Sequence, residues 1–163
     1  MVEFNHIQEE NGMKKIMFDS NAFSSLLNAH LDWTNFFSKC EDKYEFYVTA
    51  IQIEELTVIP DDKQELRIRH MLCLCQMRAK MVPNIAVLGY SRVGWSVLAD
   101  PEDTTFRDLL FESKSNIKDA MIGEAAKREC CILVTDDTRF IPKLNKVGIP
   151  TMTFEEFKNS IYV

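Results

Sequence analysis

Short apolar runs recur along this chain between stretches with helical patterning: 16–18, 44–48, 85–88, 131–134 and 149–152. Runs of this length, bounded by polar and turn-forming residues, suit strands buried on both faces. Strands that alternate with helices build βαβ units. Such units make the strands parallel, and a parallel sheet must be covered on both sides. The expected fold is α/β: a three-layer α/β/α sandwich around a mostly parallel sheet of four to five strands. In open sheets of this kind ligands bind beyond the carboxyl ends of the strands. The residues that follow each apolar run therefore carry the functional question.

Ser20 and Asn21 offer N-cap chemistry for a helix through Leu31, and Asp32 for a second with Trp33, Phe36 and Phe37 on its apolar face. Thr49 caps a short helix that Pro60 stops. Residues 61–81 contain neither Gly nor Pro and read as the longest helix. Further helices are expected around 93–98, over 117–128, over 140–146 with Gly148 as terminator, and over 154–160. The 163 residues suffice for one domain with a full core. Residues 1–12 read as an N-terminal extension and 13–163 as that single domain.

Four acids stand where a strand ends or a helix begins: Asp19, Glu55, Asp119 and Asp137. A carboxylate is costly to bury alone, because desolvation disfavours its charged form. Several on one edge of a core point to a shared cation, and all-oxygen donors suit Mg²⁺ or Mn²⁺. Asp19 and Asp137 both follow apolar runs and are expected on the same edge. Taken singly, each acid also has a structural reading: Asp19 and Asp119 as N-caps, Glu54 and Glu55 as a solvated helix face, Asp136 and Asp137 as a loop pair.

Composition narrows the alternatives. The hydrophobic fraction of 46% and charged fraction of 27% are ordinary for a globular protein. No apolar run approaches the roughly 20 residues needed to span a bilayer. The opening MVEFNHIQEENG is polar and acidic, unlike a signal peptide, so a cytoplasmic location without membrane contact is expected. Five cysteines without framework spacing argue against a disulfide scaffold. Cys73 and Cys75 with His70 hint weakly at zinc, against a reading as helix packing. The net charge of −6 counts against general nucleic-acid binding, although ions at the acids would offset part of it. Arg67, Arg69, Arg78 and Lys80 do not share one helical stripe and read as solvated surface. His6, His30 and His70 lie outside the acidic blocks. Trp33, Phe36 and Phe37 read as core or dimer interface.

The acidic blocks carry a family resemblance. KKIMFDSNAF resembles the opening strand of PIN-domain nucleases, with its Asp-x-Asn after a hydrophobic strand. VTAIQIEEL resembles their second acidic block. NIKDAMIGEAAKRECCILVTDDTRF is similar to the third: an Asp opening an Ala-rich helix, then a strand, Thr, a variable residue and Asp. The resemblance spans 13–56 and 116–154. It implies a metal-dependent endoribonuclease acting on single-stranded RNA, with Mg²⁺ or Mn²⁺ held by Asp19, Glu55, Asp119 and Asp137 as the catalytic acids. Glu55 is preferred over Glu54 because the family acid directly precedes Leu. Asn21 and Thr135 match supporting polar positions, and Asp136 is an extra carboxylate. Arg139 departs from the acidic or small polar residue that the family often carries, and could contact a phosphate. The resemblance further suggests a toxin of a toxin–antitoxin pair, with a small antitoxin partner, and a homodimer. Two other readings remain open at this point: a haloacid-dehalogenase-like phosphohydrolase, which needs an acid where Asn21 stands, and a non-catalytic PIN-like scaffold.

Overall fold

The computed structural model describes residues 12–58, 60–111 and 117–162. The expected extension therefore lies outside the described residues except for Gly12. Five strands form one sheet: β1 Lys14–Phe18, β2 Tyr44–Thr49, β3 Lys80–Val82, β6 Ile132–Val134 and β7 Thr151–Met152. Their order is β3-β2-β1-β6-β7 and every pairing is parallel. Two short strands, β4 Asn84–Ile85 and β5 Ser96–Val97, pair separately. The helices are α1 Ser20–Asn28, α2 Trp33–Ser38, α3 Ala50–Thr57, α4 Gln64–Met77, α5 Thr105–Phe111, α6 Ile117–Arg128, α7 Ile141–Lys146 and α8 Phe154–Ile161.

Alternation along the strands builds the three layers. Ile16, Phe18, Phe46, Ile132 and Val134 face one core with α1, α2, α4 and α8. Met17, Tyr47 and Leu133 face the other with α3, α5, α6 and α7. Phe157 of α8 centres the first core, 5.1 Å from the Phe18 ring and 6.1 Å from Phe36 and Phe46. Phe36 and Phe37 are thus core, as one of their two readings had it. In the second core Gly123 allows α6 to approach α5, since a Cβ there would stand 2.6 Å from Leu109 Cδ1.

The expected sandwich is present, with local corrections. The sheet's third strand is 80–82, not 85–88. Pro83 follows it, and a residue without N–H cannot extend a ladder. Ile85 pairs instead with Val97. The helix expected over 61–81 is a 3-10 turn, Asp61–Lys63, followed by α4, which stops where Arg78 turns left-handed at φ 50. The expected helix at 93–98 is absent: Gly94 turns at φ 84 and Ser96–Val97 is extended. Helix α5 was not expected. It opens where the Asp103 carboxylate accepts the Thr105 N–H at 2.8 Å, a local cap inside a segment that reads as loop. Among the described residues, no helix is long and apolar enough to cross a membrane.

Candidate active site

The strand order reverses between β1 and β6. The chain leaves β1 towards β2 and β3, then returns to the other side for β6 and β7. Beyond the carboxyl ends of such a pair lies the crevice where open sheets bind ligands. Asp19 and Thr135 border it, because Phe18 is in register with Val134 and the Asp19 N–H bonds the Val134 carbonyl at 2.9 Å.

Asp19 caps α1 itself, accepting the Ala22 N–H on Oδ1 at 2.7 Å; Ser20 and Asn21 belong to the helix rather than to its cap. Its Oδ2 accepts the Thr135 hydroxyl. The carboxylate is only 5% exposed. Burial pushes its pKa above the ordinary value, against the two hydrogen bonds, and the neighbouring charges of Asp136 and Asp137 add to the rise. Thr135 is fully buried and also accepts the Asp137 N–H at 3.1 Å, so one hydroxyl ties the two acids together. Thr135→Val keeps the shape and removes that bond. Urea unfolding should show a loss of roughly 1.5–3 kcal/mol, the usual range for a hydrogen bond to a charged group.

Asp137 Oδ1 accepts the Arg139 N–H at 2.8 Å, and the Arg139 side chain, 90% exposed, places Nε 3.6 Å from the same oxygen. Glu55 lies on α3, whose start is fixed by a capping box between Thr49 and Gln52. Its Oε2 accepts the Ser20 hydroxyl at 2.7 Å and its Oε1 lies 2.8 Å from Lys118 Nζ. Asp119 follows Lys118 and is the third residue of α6, half-buried, so it is a first-turn acid rather than an N-cap. Asp19, Glu55 and Asp137 are therefore linked through Ser20 and Thr135, and the first turn of α6 reaches them through Lys118.

Several candidates fall elsewhere. Asn21 is exposed, and Ser20 makes the contact to Glu55. Asp136 accepts the Ser25 hydroxyl at 2.6 Å and the Phe154 N–H at 2.9 Å, tying α1 to the start of α8. Glu54 pairs with Arg92 at 2.7 Å beside a cavity of about 320 Å³ lined by Ile51, Val58, Trp95 and Met121. It thus belongs to that cavity, and Glu55 belongs to the acid edge. Arg69 donates to the Leu27 carbonyl at 2.8 Å and Arg78 pairs with Glu41 at 3.0 Å. Cys73 is buried and Cys75 exposed.

Sequence reasoning missed three residues. Ser20 is expected only as a cap, and its hydroxyl instead holds Glu55. Gln52 donates to the Phe18 carbonyl just before Asp19, and its T-x-x-Q spacing from Thr49 was the available signal. Lys118 had a signal too: a cation in the first turn opposes the helix dipole.

The donor chemistry at this edge fits a hard divalent cation. Every donor is oxygen, and Asp19 is a buried carboxylate with charges of its own sign beside it. The arrangement is not a finished cage: among the described residues, no group of three or more His, Cys, Asp and Glu side chains is set to hold a metal ion.

No protein-family model matches the chain, and no curated protein matches it in sequence. Among solved structures it is similar to the crystal structure of PAE2754 from Pyrobaculum aerophilum, with a TM-score of 0.55 over 93% of this chain and 92% of that one, at 15% identity. At that identity the likeness concerns the fold, a three-layer α/β/α sandwich.

Proposed function

We propose that this protein is a metal-dependent endoribonuclease of the PIN-domain kind that cleaves single-stranded RNA. The observation that carries the reading is a buried Asp19 at the topological switch point, hydrogen-bonded through Thr135 to the segment bearing Asp137. Asp19, Glu55, Asp119 and Asp137 would hold Mg²⁺ or Mn²⁺. When bound, such an ion polarises a phosphate and lowers the pKa of water. The chain's own residues set the frame. Thr135 fixes the orientation of Asp19, Ser20 fixes Glu55, and the exposed Arg139 guanidinium offers donors to an approaching phosphate. The PIN resemblance extends the proposal to a toxin restrained by a small antitoxin, acting in the cytoplasm as a homodimer.

A second reading, a non-catalytic PIN-like scaffold, is favoured by one observation: the acids do not form a ready three-ligand group among the described residues. One assay separates the two. The purified chain with Mn²⁺ should cut a 5′-labelled single-stranded RNA, and Asp137→Asn should leave the strand intact. Equal inertness of both proteins across a panel of unrelated RNAs would favour the scaffold.

A further inference from the structure

Lys118 occupies an unusual place. It sits in the first turn of α6, where the helix dipole favours anions and opposes a cation. Its ammonium nevertheless lies 2.8 Å from Glu55 Oε1, while the Ser20 hydroxyl holds Oε2 at 2.7 Å. Both oxygens of a proposed metal ligand are thereby engaged by donors of the chain itself. A residue that breaks a local rule beside a candidate site is where function is expected to override propensity.

An ammonium carries three donors and no acceptor, so it competes directly with a metal ion for the lone pairs of Glu55. It is also a point charge on a flexible four-carbon stem, 45% exposed here, and can leave without moving the backbone. A dication on Glu55 would repel it. On the nuclease reading, the anion brought to this edge would be a phosphate of the RNA strand.

We propose that Lys118 is the resident counter-cation of Glu55 in the metal-free protein, and that metal binding transfers its ammonium from Glu55 to a phosphate of the bound RNA. This rests on the nuclease reading above. Lys118 is then a substrate-binding residue that couples metal loading to capture of the strand. It holds Glu55 compensated while no ion is bound.

The test uses the full chain, with thermal unfolding checking that each variant is folded. In calorimetric titration with MnCl₂, Lys118→Ala should bind about tenfold more tightly than the wild type, and Lys118→Arg no more tightly. A labelled 20-residue oligouridylate, held uncut with Ca²⁺ in place of Mn²⁺, then reports strand binding. In Lys118→Ala the slope of log Kd against log salt should flatten by about 0.7, one phosphate contact on a single strand, and without divalent ion it should not change. Equal Mn²⁺ affinity in wild type and Lys118→Ala, with RNA still cut, overturns the exchange and leaves the nuclease reading standing. Tighter binding by Lys118→Arg as well overturns it too, since the charge would then not be the competitor. Absence of Mn²⁺ binding by both wild type and Lys118→Ala up to the millimolar range removes the metal-site reading, and the exchange with it.

Discussion

On the proposed nuclease reading, Asp19→Asn should abolish RNA cleavage and at the same time make the protein more stable. Removing a partner outside the ligand set already costs metal sites about 10–100-fold, so loss of a ligand oxygen should exceed about 100-fold in cleavage rate. The gain in stability follows from the surroundings of Asp19. Burial holds its pKa above the ordinary 3.8, so the folded chain keeps a proton that the unfolded chain releases. Stability is then lost as pH rises from the ordinary value through the raised one, and the penalty persists at neutral pH. Asn carries no charge to desolvate. Its Oδ1 still caps α1 by accepting the Ala22 N–H, while its amide cannot accept the Thr135 hydroxyl and can only donate to Oγ1 once that hydroxyl turns away, which offsets part of the gain. Urea unfolding at pH 7 should show a gain on the order of 1 kcal/mol, in the range typical of relieving a strained functional site. Near pH 3, where Asp19 is protonated in both states, the gain should vanish. A variant that loses cleavage and stability together at pH 7 would mean that Asp19 is a structural cap alone. In the wild type, millimolar Mn²⁺ should restore what Asp19 forfeits, raising Tm in a way that Asp19→Asn does not share.

The second large effect concerns the far end of α6. Arg128 Nη1 lies 2.6 Å from Glu124 Oε1 and 2.7 Å from Oε2, and Nη2 donates to the Pro83 carbonyl. Glu124 is 5% exposed, and burial pushes its pKa up while Arg128 opposes the rise. Arg128→Ala leaves that carboxylate buried without its cation, at a cost of about 3–5 kcal/mol in denaturant unfolding at pH 7. The deficit should shrink on acidification, because Glu124 can then take up a proton. Replacing both partners with apolar residues of similar size should recover most of the loss, whereas a purely steric role for Arg128 predicts no recovery. The pair anchors the helix whose first turn carries Lys118 and Asp119, so on the proposed metal-site reading the same variant should also weaken Mn²⁺ binding.

Much of the architecture was legible because it is local. The runs IMF, YEFYV and CILV correspond to β1, β2 and β6, since period and length alone mark a buried strand. Asp32, Thr49 and Gly148 ended or began helices where their side chains, or lack of one, dictate. The misplaced third strand and the missing helix at 93–98 fall in the middle of the chain. There the apolar run 85–88 has no period of its own, and pairing partners decided the outcome: Thr49 took Val82, and Ile85 took Val97.

The acids divide in the same way. Their identities and their positions after strands belong to the sequence, and so does the preference for Asp19 and Asp137 as neighbours across one edge. What each carboxylate does was decided by the fold. Asp136 turned to Ser25 and Phe154, Glu54 to Arg92, and Glu55 to Ser20 and Lys118. A carboxylate's role depends on burial and on which donors reach it. Those donors arrive from elements far apart in the chain, and only the packed sheet brings them together.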